Sequence, residues 1–239
     1  MSFEILLPVG AIGLYLFDSL LLMYSNELLF VRTSGQWDFT RGSALLIAGR
    51  RLYLPNPFTP HIPQFRVRWS ETDPRRDTER QEELQPFMRA LRPVQVLVMA
   101  LLLLLLVLPV VLYVYGTGLE LLVLMACFYL VVLAMLGTIF AHRRSLRLTG
   151  RSFAAVAFDS LACGPFAVNA VRKLCMRRSL AGNPIEFARA SFGPARLTAL
   201  IDAISASVVQ EQQREDGQTE RWLQLESFRS RLAALRPSL

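Results

Sequence analysis

Two stretches of the chain carry no alternation of polar and apolar positions. From Pro93 to Tyr115 the sequence reads PVQVLVMALLLLLLVLPVVLYVY without one charged side chain. From Leu119 to Ala141 it reads LELLVLMACFYLVVLAMLGTIFA, with a single charge, Glu120, at its edge. About 20 such residues carry a helix across the hydrocarbon of a bilayer. Each run predicts a transmembrane helix, and the Gly116-Thr117-Gly118 link makes the pair a helical hairpin spanning residues 92–141. Pro109 predicts a kink in the first of them, because proline removes a backbone donor and crowds the preceding turn. Tyr113 and Tyr115 fall where an interfacial aromatic belt is expected.

A third apolar run, Ile5 to Tyr24, is interrupted only by Asp18 and predicts an N-terminal transmembrane helix within residues 1–27. A secretory signal would show a basic start and a small-residue cleavage site, whereas this run follows Met-Ser-Phe-Glu and continues into Tyr24-Ser25-Asn26-Glu27. Basic residues orient all three helices. Arg89 and Arg92 precede the hairpin, His142, Arg143, Arg144 and Arg147 follow it, and its turn carries only Glu120. Because cationic loops stay in the cytoplasm, both hairpin ends are expected there, and the N-terminus outside.

Residues 28–91 read as a cytoplasmic insertion. Two short apolar runs, Ser43 to Ala48 and Leu52 to Leu54, bracket Gly49-Arg50-Arg51 and predict a β-hairpin. Pro55, Pro57, Pro60 and Pro63 then forbid helix and sheet and predict an extended strap. Phe65 to Trp69 alternates apolar side chains with arginine, as a half-buried strand would. Mixed charges from Glu71 to Glu83 predict a solvated helix, capped by Thr72 or Asp73 and running as a stalk into the hairpin.

The segment 142–178 is basic and ambiguous. Ser152 to Val171 is long enough for a fourth crossing, but arginines flank both ends, Asp159 and Asn169 would lie at depth, and Gly164-Pro165 breaks the run. The expectation is two short interfacial or re-entrant helices with Arg143, Arg144, Arg147, Arg151, Arg172, Lys173, Arg177 and Arg178 contacting lipid headgroups. Residues 179–239 read as a cytoplasmic helical region. Its last helix, set off by Gly217, repeats Trp222, Leu225, Phe228, Leu232 and Leu235 at three- and four-residue steps, a stripe that requires a partner: the chain's own β element, a second copy or another subunit. The fold class expected is a mainly α integral membrane protein with three transmembrane helices and a small cytoplasmic β element.

Composition agrees and narrows the chemistry. The chain of 239 residues is 53% hydrophobic and 19% charged, against about 25% charged in an average soluble domain. Lys173 is the only lysine among 26 Lys plus Arg, and the net charge is +7. Arginine's planar fork suits phosphate, so membrane lipids are expected partners. The cations flank apolar segments instead of gathering on one face among aromatics, so nucleic acid is not. The preference for arginine over lysine fits a GC-rich bacterial genome, so the membrane expected is a bacterial inner membrane.

Cys127, Cys163 and Cys175 are odd in number and lack CxxC spacing, and His61 and His142 stand apart, so neither a disulfide framework nor a metal site is expected. No phosphate loop, dinucleotide fingerprint or nucleophile elbow occurs, so no cofactor and no catalytic residue is assigned. Asp18 is the one carboxylate inside a predicted transmembrane helix, and such groups are candidate functional sites. Three readings follow. The chain is a non-catalytic subunit or scaffold of a membrane complex, partnered by other subunits or by a second copy; or a small transporter or channel self-associated around Asp18; or a lipid-active enzyme using Asp159 and Cys163.

Overall fold

The computed structural model describes residues 3–70, 81–180, 183–215 and 219–235. It is mostly helical, with two long apolar helices and small sheets, and its described residues divide into two units. The cap expected at Thr72 or Asp73 and the separator expected at Gly217 lie outside the described residues.

The first unit holds α1 (Phe3–Ser19), the strap Leu54–Pro63, and α2 (Gln81–Tyr115) from Gln85 onward. It continues through α3 (Leu119–Ala141), α4 (Gly150–Ala162), α5 (Gly164–Ala167) and α6 (Ala170–Arg178). Helices α2 and α3 are long and apolar enough to cross a membrane. Their most apolar windows are only 33% and 28% buried, whereas the core helix of a water-soluble protein hides most of its surface. Val96, Leu103, Val110, Leu122 and Leu130 all stand exposed. Exposed apolar surface of this extent marks a site of contact with a membrane or with another protein.

The buried side chains of α2 include Leu91, Val94, Val98, Leu101, Leu105, Leu108 and Leu112. They recur at alternating three- and four-residue steps, the seven-residue repeat of a seam that interdigitates with a neighbouring helix. Leu108 and Leu112 meet Leu124 of α3, and Leu7 and Ala11 of α1 pack on that cluster. Gly116 takes a left-handed φ of +67° and its N–H returns to the Leu112 carbonyl, capping α2 before the chain reverses. Helix α2 continues through Pro86, Pro93 and Pro109.

Helix α1 departs from expectation. The apolar run continues to Tyr24, but the helix has 17 residues and stops at Ser19, so two helices and not three have the length of a transmembrane element. Leu21–Met23 instead forms β1, paired antiparallel with β5 through Leu21↔Tyr53, Leu22↔Leu52 and Met23↔Arg51. A strand buries its apolar side chains on one face at period two, and that burial accounts for residues the sequence pattern assigned to a helix.

The second unit is built on two three-stranded sheets. One has the order β1-β5-β4, with β4 (Leu46–Ile47) and β5 (Arg50–Tyr53). The other has the order β3-β2-β6, with β2 (Glu27–Thr33), β3 (Gln36–Thr40) and β6 (Gln64–Arg68). Both hairpins close with two residues at positive φ, Ser34-Gly35 and Ala48-Gly49. That is the turn whose twist matches paired strands. The β2–β3 hairpin is an addition to the sequence reading. Buried Glu27 at the start of β2 accepts from Arg68 across the ladder at 2.7 Å.

Helices α7 (Pro184–Ser191), α8 (Pro194–Gln212) and α9 (Glu220–Leu235) complete this unit. Asn183 caps α7 by accepting from the Ile185 N–H, and prolines open α7 and α8, where a missing backbone donor costs nothing. Phe187 meets Phe30 and stands edge-on to Trp37, and Arg196 donates to the Trp37 carbonyl at 2.8 Å.

Candidate functional site

The four prolines of the strap lack N–H groups, so this segment offers its neighbours mainly carbonyl oxygens. Donors from three helices take them up. The Tyr15 hydroxyl of α1 donates to the Pro57 carbonyl, Arg172 Nη2 of α6 donates to the Asn56 carbonyl at 2.7 Å, and Gln95 Nε2 of α2 donates to the His61 carbonyl at 2.8 Å. The strap thereby joins the C-terminal end of α1 to the N-terminal part of α2. With Leu7 and Ala11 packed near Leu108 and Leu112, α1 runs antiparallel to α2.

Asn169 stands at the centre of this polar end. It lies in the turn between α5 and α6, is 1% exposed, and uses its amide in full. Nδ2 donates to Asp18 Oδ2 at 3.0 Å and to the Tyr15 carbonyl at 3.2 Å, while Oδ1 accepts from Arg172 Nη1 at 3.0 Å. The Ser19 hydroxyl donates to the Tyr15 carbonyl and accepts from Arg172 Nη1. Asp18 pairs with Lys173 Nζ at 3.0 Å, and Lys173 lies 3.8 Å from Asp159 and over the Phe166 ring. Two carboxylates and two cations cancel in formal charge; Arg172 and Asp18 are held by hydrogen bonds, while Asp159 is partly exposed. Buried charge persists on these terms.

Burial, with the charge of Arg172 adding to it, holds the His61 imidazole below its ordinary value of 6.5. A lowered value in the folded chain means that the unfolded chain takes up the proton first as pH falls. Stability contributed here is present above about pH 6.5 and is lost below it. Thermal unfolding at about pH 7.5 and about pH 5.5 should therefore show a drop in Tm that His61→Gln reduces.

The structure separates the residues singled out from sequence. Asp18 and Lys173 are brought together, and Arg172 joins them. Expected at headgroup level, Arg172 is instead 3% exposed, with its guanidinium donating inward to Ser19, Asn169 and Asn56. Arg143, Arg144, Arg147, Arg151 and Arg177 are exposed. Arg143 covers Phe140, Arg177 donates to the Ser152 carbonyl, and half-buried Arg178 lies over Phe87. The Asp159 carboxylate is turned to Lys173, while Cys163 lines an apolar groove.

On α9, Leu225, Phe228 and Leu232 are buried within the second unit, Trp222 and Leu235 are half-buried, and Phe228 stacks on Trp69 at 5.6 Å. The helix also packs on α8, with Arg221 paired to Glu211 and Glu215. The chain itself therefore covers the stripe. Among the described residues no group of three or more His, Cys, Asp or Glu side chains is placed to hold a metal ion.

Sequence reasoning missed Asn169 as the hub, together with Tyr15, Ser19 and the Asn56 carbonyl. One signal for Asn169 was present: a lone carboxamide in an apolar run must find partners when buried. Its partners on α1, Tyr15, Asp18 and Ser19, lie some 150 positions away, which no local pattern reveals. No family model matches the chain, and no curated protein or solved structure matches it.

Proposed function

We propose that this chain is a non-catalytic subunit or scaffold of a bacterial inner-membrane complex. In this reading α2 and α3 cross the bilayer with both ends of the hairpin in the cytoplasm, α1 is embedded beside them, and the strands and helices of the second unit are cytoplasmic. The observation that carries the reading is an apolar patch on the second unit. Leu45, Leu46 and Ile47 are consecutive, and each is exposed by 43% or more. Leu46 and Ile47 form β4, an edge strand of its sheet. An apolar edge is a template for a partner's strand and is normally blunted where none is intended. The paired state of Asp18 supports a structural part for it in this reading: its carboxylate braces α1 against α6.

Purification in mild detergent tests the proposal by bringing down stoichiometric partner subunits. The double substitution Leu46→Glu with Ile47→Glu should abolish their recovery while changing folded stability by no more than about 0.5 kcal/mol, because both side chains are exposed and each faces an arginine, Arg51 or Arg50, across the strand pair. A lone monodisperse monomer would overturn the reading. Ion or proton flux in liposomes containing only this protein would replace it with a channel in which copies associate around Asp18.

A further inference from the structure

The first unit contains an apolar groove of about 400 Å³ formed by α1, α2, α3 and the α4–α5 turn. That volume falls within the range of about 300–1,000 Å³ typical of small-molecule sites. Its lining is apolar throughout, with only the Tyr129 hydroxyl and the Cys163 thiol as exceptions. A cavity of this character does not hold ordered water, which needs two or more polar partners. Three lining residues, Leu6, Leu14 and Tyr129, are themselves exposed by 40% or more, so the groove opens on the apolar flank of the unit.

Glycines shape it at two points. A Cβ on Gly10 would meet nothing within 4 Å, so this stretch of α1 leaves the space vacant. A Cβ on Gly164 would come within 2.8 Å of Phe128, so the glycine lets the α4–α5 turn close against α3. Polar groups adjoin one end. Asp18 lies one helical turn beyond Leu14 and carries the ion pair with Lys173. Beyond that balanced set, the segment 142–178 carries five exposed arginines, Arg143, Arg144, Arg147, Arg151 and Arg177, and no carboxylate other than Asp159.

We infer that the groove binds one acyl chain of a membrane phospholipid, with the anionic headgroup at the basic end of the unit. The inference rests on the membrane placement proposed above. Hydrocarbon is the only medium that reaches the open flank in that placement, and filling the groove restores dispersion contacts its lining otherwise lacks. The cationic surplus selects a lipid carrying phosphate over a neutral isoprenoid.

The test uses the full chain, purified in mild detergent, washed, and extracted for mass spectrometry. Wild type should retain about one phospholipid per chain. Gly10→Phe, which places a ring in the groove, should lower retention at least tenfold, while Gly13→Phe, on the same helix but outside the lining, should not. As a check independent of any variant, Cys163 should resist maleimide in the lipid-replete protein and react after delipidation, located by mass among the three cysteines. Equal retention in Gly10→Phe and wild type, an isoprenoid in place of phospholipid, or Cys163 reactivity indifferent to lipid would each overturn the inference. Release of the chain from membranes by alkaline wash without detergent would overturn the membrane placement as well, which distinguishes the two failures.

Discussion

Asn169→Asp should destabilise the protein by about 3–5 kcal/mol, seen as a fall in Tm of about 10 °C in mild detergent. The substitution is isosteric, so packing is unchanged. What changes is the atom facing Asp18: Nδ2, which donates at 3.0 Å, becomes a carboxylate oxygen. Two carboxylates then meet at hydrogen-bond distance with one donor lost, and the Tyr15 carbonyl loses the same donor.

A reciprocal exchange discriminates electrostatics from general disruption. Adding Asp18→Asn to Asn169→Asp restores a donor on one side and an acceptor on the other, with unchanged total charge. The double variant should regain about 2 kcal/mol relative to Asn169→Asp alone, within the range of couplings measured for groups in direct contact. If the two effects simply add, the Asp18–Asn169 contact does not hold α1 to the α5–α6 turn.

The second large effect is expected at Trp37. Its side chain is 2% exposed, stands edge-on to Phe187 at 5.1 Å, and packs on Phe65 at 5.8 Å. Arg32 covers the ring at 5.5 Å. Trp37→Ala removes the ring that fills the space between β3, β6 and α7, and a cavity of that kind costs about 3–5 kcal/mol. Trp37→Phe keeps an aromatic edge against Phe187 and should cost about half as much. Thermal unfolding of the two variants checks both the size and the order. A Phe variant as unstable as the Ala variant would place the stabilisation in the indole alone and remove the role assigned to the ring contacts.

Parts of this fold were legible because they depend on sums along the chain. The two long apolar helices, the glycine link between them and the strand at Phe65 could be read from runs and alternation. The hairpin at β4–β5 was legible because Gly49 punctuates two apolar runs. The hairpin at β2–β3 carried a comparable signal in Ser34-Gly35 and was missed, since Leu28, Leu29 and Phe30 form a continuous apolar run without the alternation of a half-exposed strand. All three are buried in the structure, which is why they do not alternate.

The first helix failed for a related reason. Leu20 to Tyr24 is as apolar as the helix before it, and an apolar run shorter than a turn or two does not reveal its own period. Only the partner strand β5, some 30 positions later, makes Leu21–Met23 a strand. The candidate site was partly visible. Asp18 stood out as an acid in an apolar run, yet its partners Asn169 and Lys173 gave no sign of pairing with it.

Length, hydropathy and the placement of arginines were decided by the residues themselves, because transfer of a side chain from water to hydrocarbon depends on its own chemistry and adds along the run. Which face of α2 is buried was not so decided: from Leu101 to Leu106 every residue is leucine, and Leu101, Leu102 and Leu105 are buried while Leu103 is exposed. Identical side chains can differ in this way only through what packs beside them. The same holds for Arg172, which as a residue type belongs at a solvated surface. It is buried here because Ser19, Asn169 and the Asn56 carbonyl, drawn from three separate parts of the chain, together replace the water its guanidinium gives up.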